Sequence, residues 1–438
     1  MEIVLPTPSL LLLVGPSGCG KSTFARRHFA PTEIVSSDHC RALVADDPAD
    51  QGATAGAFAV LHAIVDQRLA HARQTVVDAT NLRDFGRAPL LDLARRHHLP
   101  AVAIAFDLPA ELCRERAAAR PDRPVDADVV ARHVAELPAA LAAMRGEPFR
   151  SVTVLRAVAE VDHAEVRRVP LPPLRREERG PFDIVGDVHG CREELEALLA
   201  RLGYAPDADG AWRHAQGRRL VFVGDLADRG PDVAGVFRIV MPTVEAGAAL
   251  CVPGNHDDKL MRKLRGRNVV VAHGLQESLD SLAAAPRSFS RRVADFLGAL
   301  PSHLVLDDDR LVVAHAGMRA DLQGRDSRRV RDFALYGDTT GEVDELGLPV
   351  RRDWASEYHG RRTVVYGHTP VSYPIWVNRT IDIDTGCVFG GRLTALRYPE
   401  LTLVHEQARR AYATTRRPFL APGTPDAPDV SGVPVTAR

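Results

Sequence analysis

The chain has 438 residues, a formal net charge of −1 and 45% hydrophobic residues. At roughly 150 residues per domain that predicts two or three domains. The composition excludes a chain disordered throughout and a basic nucleic-acid glove, so any polyanion must be held by local arginine clusters or by metals. Lys21, Lys259 and Lys263 are the lysines among 56 basic side chains. The six cysteines are scattered, with no CxxC pair. That argues against a disulfide framework or zinc ribbon and fits a reducing, cytoplasmic setting. No stretch reaches the ~20 apolar residues of a membrane helix.

In chain order, Ser9–Val14 reads as a strand and Lys21–Phe29 as a helix. Glu33–Ser37 is a second strand. Phe58, Leu61, Val65 and Leu69 recur at helical spacing. Thr75–Ala79, Ala101–Phe106 and Val152–Leu155 read as strands, with helices at Arg87–His97, Pro109–Arg120 and Asp126–Ala143. This alternation predicts an α/β domain with a parallel sheet over residues 1–168. Residues 169–181 are rich in proline and charge and read as a linker with little to pack. A second α/β domain with two packed mixed sheets is expected over 182–406. Its strands are predicted at Phe182–Gly186, Leu220–Gly224, Leu250–Val252, Leu311–Ala314 and Thr363–Tyr366. Short late strands follow, from Trp376 to His405. Residues 407–438 read as a disordered tail.

Gly15-Pro16-Ser17-Gly18-Cys19-Gly20-Lys21-Ser22 fits G-x-x-x-x-G-K-[ST] between a strand and a helix. Gly15, Ser17, Gly18, Gly20 and Thr23 belong to a backbone cradle for the phosphates of ATP or another NTP. Lys21 suits the β- and γ-phosphates, and Ser22 suits Mg²⁺. Asp38 follows the second strand, where a carboxylate can deprotonate an acceptor hydroxyl. It can equally be a helix N-cap. Arg41 is a candidate grip on an acceptor phosphate. Arg114, Arg116, Arg120 and Arg123 form a candidate arginine lid, or a solvated helix face. Asp78, Thr80 and Asn81 end the third strand and could meet Mg²⁺ or nucleotide.

The second constellation is Asp187-Val188-His189, Asp225 with Asp228-Arg229, Asn255-His256-Asp257, then His315 and His368. Each phrase falls at or after a predicted strand end. The set resembles the binuclear metallophosphoesterases. Asp187 and His189 can clasp one divalent ion, Asp225 can bridge, and Asn255, His315 and His368 can complete a second. Mixed N/O ligation suits Mn²⁺, with Fe or Ni²⁺ as alternatives. Two ions so held activate water and clamp phosphate oxygens. His256 can protonate a leaving group, oriented by Asp228 or Asp257, and Arg229 can hold phosphate bidentately. His273, Lys259 and Lys263 stay open, as does Asp384 between a supporting role and a turn.

Over nearly all of residues 1–400 the pairing resembles the bacterial RNA-repair polynucleotide kinase-phosphatases. The phrases GPSGCGKST, VSSDHCR, GDVHG, GDLADRG, GNHD, VVAHAG and YGHTP carry the likeness. The resemblance implies a kinase acting on 5′-OH ends, with Asp38 as acceptor base and Arg41, Arg116 and Arg123 on phosphates. It also implies a phosphatase for 2′,3′-cyclic, 2′- or 3′-phosphate ends, RNA more than DNA. No lysine follows Lys263, so the family's ligase module is expected to be absent and sealing would need a separate ligase. The alternative is a metallophosphatase for protein or dinucleoside polyphosphate substrates, with a regulatory ATP-binding P-loop domain. Oligomeric state stays open.

Overall fold

The computed structural model describes residues 1–119, 125–343, 345 and 349–415. Arg120 and Arg123 of the expected lid, and 416–438 of the expected tail, lie outside the described residues. The chain divides into two compact units, Met1–Leu171 with Arg325–Ser327, and Pro172–Gly324 with Arg328–Arg438.

The first unit holds a five-stranded parallel sheet. Its order is Ile34–Ser36, Thr75–Asp78, Leu10–Val14, Ala101–Phe106, Phe149–Leu155. The central strand, LLLLV, is buried on both faces, as a parallel sheet between helices requires. Leu11 and Leu13 pack with Phe24, Ile104 and Phe106 in one core. The second strand is shorter than expected because the helix Ser37–Ala45 begins at once. Ser36 caps it, accepting from the His39 N–H at 3.5 Å. Asp38 is therefore in the first helical turn, not at the cap.

One expectation is corrected by packing. The strand Glu2–Thr7 pairs in parallel with Glu165–Pro170, which buries Ile3 and Leu5. The pairing consumes the start of the expected linker. Past it, Leu171 and Leu174 are buried, and Leu174 bridges Val305. Proline and charge there mask a few apolar anchors, so the segment is packed chain rather than a free linker.

The second unit has two five-stranded mixed sheets. The first runs Ala249–Cys251, Arg219–Phe222, Phe182–Val185, Arg392–Tyr398, Thr402–Gln407. The second runs His303–Leu306, Leu311–Ala314, Thr363–Tyr366, Thr380–Asp382, Trp376–Val377. In each sheet three neighbouring strands are parallel, and the others are antiparallel. Period-2 alternation builds two cores. Val221 and Val223 meet Leu311 and Val313 in the inter-sheet core, together with Ile184 and Ile381. Leu220 and Phe222 point the other way, into a core with the helices Arg192–Leu202 and Val233–Glu245. The parallel strands of both sheets end at one edge. Asp187, Asp225 and Asn255 follow the strand ends of the first sheet, and His315, His368 and Asp384 follow those of the second.

Disorder from residue 407 is also corrected, as far as 415. Gln407 ends a strand, and Ala411 bridges Phe389. The Tyr412 hydroxyl donates to Glu194 Oε1 at 2.8 Å, so an aromatic anchor pins a stretch that its arginines make look solvated.

Candidate metal centre and phosphate cradle

The buried strand Leu10–Val14 delivers Gly15 to the sheet edge, and the helix Lys21–His28 starts on the far side of the loop. Gly18 has φ +81°, and a Cβ there would collide with the Cys113 carbonyl oxygen, so only glycine fits. The buried Lys21 ammonium donates to the carbonyls of Gly15 and Pro16, both at 2.8 Å. Ser17 Oγ lies 3.4 Å from His133 Nδ1. Ser22 is half-buried and Thr23 exposed in the first helical turn. Arg116 Nη1 stands 3.8 Å from the place of a Gly20 Cβ, which puts a guanidinium beside the cradle.

The other polar candidates divide. Arg41 donates to Asp38 Oδ1 at 2.8 Å and to the Pro48 carbonyl at 3.0 Å, with its side chain buried. It is thus occupied by a neighbouring carboxylate, a departure from the free grip on an acceptor phosphate that the sequence suggests. Arg114 pairs with Glu111 on the helix face. Asn81 Nδ2 donates to the Leu13 carbonyl at 2.8 Å and so ties the third strand end to the central strand.

In the second unit the predicted residues converge. His189, Asp225 and His256 can bring ligand atoms within 4.8 Å of one another, and so can Asp225, His315 and His368. Asp225 is common to both groups. His315 Nε2 lies 3.0 Å from Asn255 Oδ1 and 2.9 Å from His368 Nδ1. The His368 N–H donates to Asp187 Oδ2 at 3.1 Å. Asp187 Oδ1 is buried without a hydrogen-bond partner. His189, Asp225, Asp228, Arg229 and His368 all have φ between 44° and 80°. Strain of this kind persists where surrounding packing over-determines the backbone, and it clusters at functional sites.

His256 Nδ1 lies 2.6 Å from Asp228 Oδ2, and the Ser278 hydroxyl donates to Asp228 Oδ1 at 2.6 Å. Asp228 is therefore the orienter. Asp257 instead accepts from the N–H groups of Leu226, Ala227 and Gly254, so it braces the loops carrying Asp225 and His256. Arg229 places Nη1 2.5 Å from His189 Nε2 and Nη2 2.8 Å from His256 Nε2. Its guanidinium lies over the Phe389 ring, 5.1 Å from the centroid.

Burial, with the nearby carboxylates of Asp384, Asp225 and Asp382, pushes the Asp187 carboxyl well above its usual range. Asp225 is raised by burial and by Asp257. Burial and the Arg229 charge hold His189 and His256 well below the ordinary imidazole range, and burial pushes His315 down to about 3. Burial lifts Asp384 to about 6. Neutral imidazoles, crowded carboxylates and an orphaned buried oxygen aimed at one place are the donor set a divalent cation satisfies. The residues present fit such a pair of ions.

Two neighbours of the candidate site escape sequence reading. Arg351 comes from the hairpin Thr339–Val343 and Pro349–Arg351, and its Nη2 lies 2.7 Å from His368 Nε2. Nothing in an arginine-rich chain singles it out. Ser278 likewise belongs to no motif, and only packing brings it to Asp228. Lys259 and Lys263 donate to the carbonyls of Ala272 and Val269, so both serve the loop before His273.

The two-sheet fold, with mixed nitrogen and oxygen donors at one edge, is that of a metallophosphoesterase. The calcineurin-like phosphoesterase family model matches residues 180–405, and this chain belongs to that family. Its members use two divalent metals. A family described as an AAA domain matches residues 10–144. Among curated relatives, the asymmetrical bis(5′-nucleosyl)-tetraphosphatase PrpE of Anoxybacillus flavithermus is 48% identical over 243 residues, covering 54% of this chain and 99% of the relative. The protein of the same name from Geobacillus thermodenitrificans is 51% identical, covering 51% of this chain and 92% of the relative. That from Bacillus subtilis is 48% identical, covering 54% and 98%. The reading of a P-loop module followed by a phosphoesterase stands. These relatives are named dinucleoside tetraphosphatases, not polynucleotide kinase-phosphatases. Among the described residues, no helix is long and apolar enough to cross a membrane.

Proposed function

We propose that the phosphoesterase half hydrolyses dinucleoside polyphosphates, cleaving a phosphoanhydride into unequal nucleotides. The observation that carries the reading is the pair of ligand groups sharing Asp225, taken with relatives named for that activity. Asp187 and His189 would hold one ion, Asn255, His315 and His368 the other, and Asp225 both. Mn²⁺ suits this mixed donor set, with Fe or Ni²⁺ as alternatives. When bound, the ions supply an activated water and a clamp on phosphate oxygens. Arg229 and Arg351 then grip the phosphates from two sides. Once Arg229 leaves it for a phosphate, His256 Nε2 can take up a proton and give it to the departing oxygen, while Asp228 fixes the ring and balances its charge. The test is product analysis with diadenosine tetraphosphate and Mn²⁺. ATP plus AMP, lost in Asp187→Asn, supports the proposal, and two molecules of ADP or no cleavage refutes it.

The P-loop half, on this reading, binds ATP with Mg²⁺ through Gly15 to Thr23. A second reading, end healing of RNA, is favoured by one observation: Arg116 stands beside Gly20, in a unit that also carries Asp38 in a first helical turn. A nucleotide sensor needs no acceptor carboxylate. Transfer of labelled γ-phosphate to a 5′-OH oligonucleotide, abolished by Lys21→Ala, would establish that reading. Absence of transfer by the wild-type protein would remove it.

A further inference from the structure

The rim of the metal centre carries an aromatic ring without a role in the chemistry above. Tyr373 is 43% exposed. It lies five residues after His368. The Arg392 guanidinium is over its ring, 5.8 Å from the centroid. Arg392, and Val371 two residues before Tyr373, are fastened to one turn. The Val371 N–H donates to the Asp384 carbonyl at 2.8 Å. The Arg392 N–H donates to the Thr385 carbonyl at 3.0 Å, and the Thr385 hydroxyl donates to the Arg392 carbonyl at 2.7 Å. That turn is pressed against the metal-ligand loop: a Cβ on Gly186 would lie 2.5 Å from the Ile383 carbonyl oxygen.

We infer that Tyr373, backed by Arg392, is the stacking platform for a nucleobase of the substrate. The inference rests on the dinucleoside polyphosphate reading and names the part of the substrate that phosphate-directed groups do not recognise. Phosphates held by Arg229, Arg351 and the ions leave a nucleoside projecting past the rim. A tyrosine face accepts any base, since every base has a π surface, and a guanidinium behind the ring holds it in place. A ring kept only for packing would be covered. Tyr373 is a specificity-determining residue here and touches no reacting atom.

The experiment compares Tyr373→Ala and Tyr373→Trp with the wild type, using Mn²⁺-loaded full chain. The substrates are diadenosine tetraphosphate and inorganic tripolyphosphate, a phosphoanhydride with no base. Tyr373→Ala is expected to raise KM for the dinucleotide about tenfold, within the range of one base–aromatic stack. Its kcat and its kinetics on tripolyphosphate should stay close to wild type, and Tyr373→Trp should retain the low KM. If the wild type favours the dinucleotide and Tyr373→Ala leaves that preference intact, or slows both substrates alike, the stacking role is overturned alone. If the wild type does not favour the dinucleotide, the substrate reading fails and stacking fails with it.

Discussion

The two centres are built in opposite ways. The phosphate cradle is one contiguous loop whose lysine closes on its own carbonyls. The metal centre draws Asp187, Asp225, Asn255, His315 and His368 from five strand ends of two sheets. A cradle of backbone N–H groups needs local geometry, so glycine spacing suffices to make it. A pair of divalent ions needs convergent lone pairs, so the fold must bring distant residues together. In both, an internal cation lies against the acceptors: Lys21 on loop carbonyls, Arg229 and Arg351 on imidazole nitrogens. Ligand binding in either centre therefore has to move a cation from a protein acceptor to a phosphate.

The contrast is broken most forcefully by Asp187→Asn. That change leaves a buried amide where a carboxylate oxygen is unpartnered. Hydrolysis should fall about 10³-fold or more, the scale of losing a two-metal site. Titration calorimetry should show lost Mn²⁺ binding but unchanged ATP binding. Lys21→Ala should do the reverse. Loss of both functions in either variant would show that the centres are not separable.

A smaller effect sharpens the role of His256. His256→Ala should cost about 10²-fold or more on a substrate with a poor leaving group, the usual worth of general acid catalysis. The loss should shrink on p-nitrophenyl phosphate, whose leaving group needs no proton. Equal losses on both would assign His256 to metal binding instead, which its place beside His189 and Asp225 also permits. Arg351→Ala should raise KM for phosphate substrates about tenfold, as expected for one lost charge-assisted contact. An unchanged KM would leave Arg351 as a support for His368 alone.

Sequence legibility followed the same contrast. The cradle could be read because its chemistry is written in eight consecutive residues. The candidate metal ligands could be singled out because each sits at a strand end in a short phrase. Arg351 and Ser278 could not, since a hairpin and a helix bring them in from unmarked positions. Arg41 was legible as a residue but not as a partner of Asp38, which depends on one helical turn beginning at Ser37. The expected linker failed because Leu171 and Leu174, buried in the fold, are few among prolines and charges.

A different kind of effect concerns stability away from both centres. His303 is buried, accepts the Gly324 N–H at 2.8 Å, and is pushed down to about 3 by burial. The unfolded chain takes up a proton near pH 6.5, whereas the folded chain does so only near 3. Its contribution is thus complete above pH 6.5 and declines as pH falls toward 3, by about 1.4 kcal/mol per pH unit at most. Urea unfolding of His303→Gln, followed from pH 7 to 5, should show a shallower acid decline than wild type. A parallel decline would refute a neutral buried imidazole.

The central claim is that the metal centre serves nucleotide phosphoanhydrides. Its most direct measurement is kcat/KM of the Mn²⁺-loaded wild type on diadenosine tetraphosphate against an RNA oligonucleotide ending in a 2′,3′-cyclic phosphate. The account predicts a preference of about tenfold or more for the dinucleotide, equivalent to ~1.4 kcal/mol of transition-state binding. Faster turnover of the RNA end would contradict it.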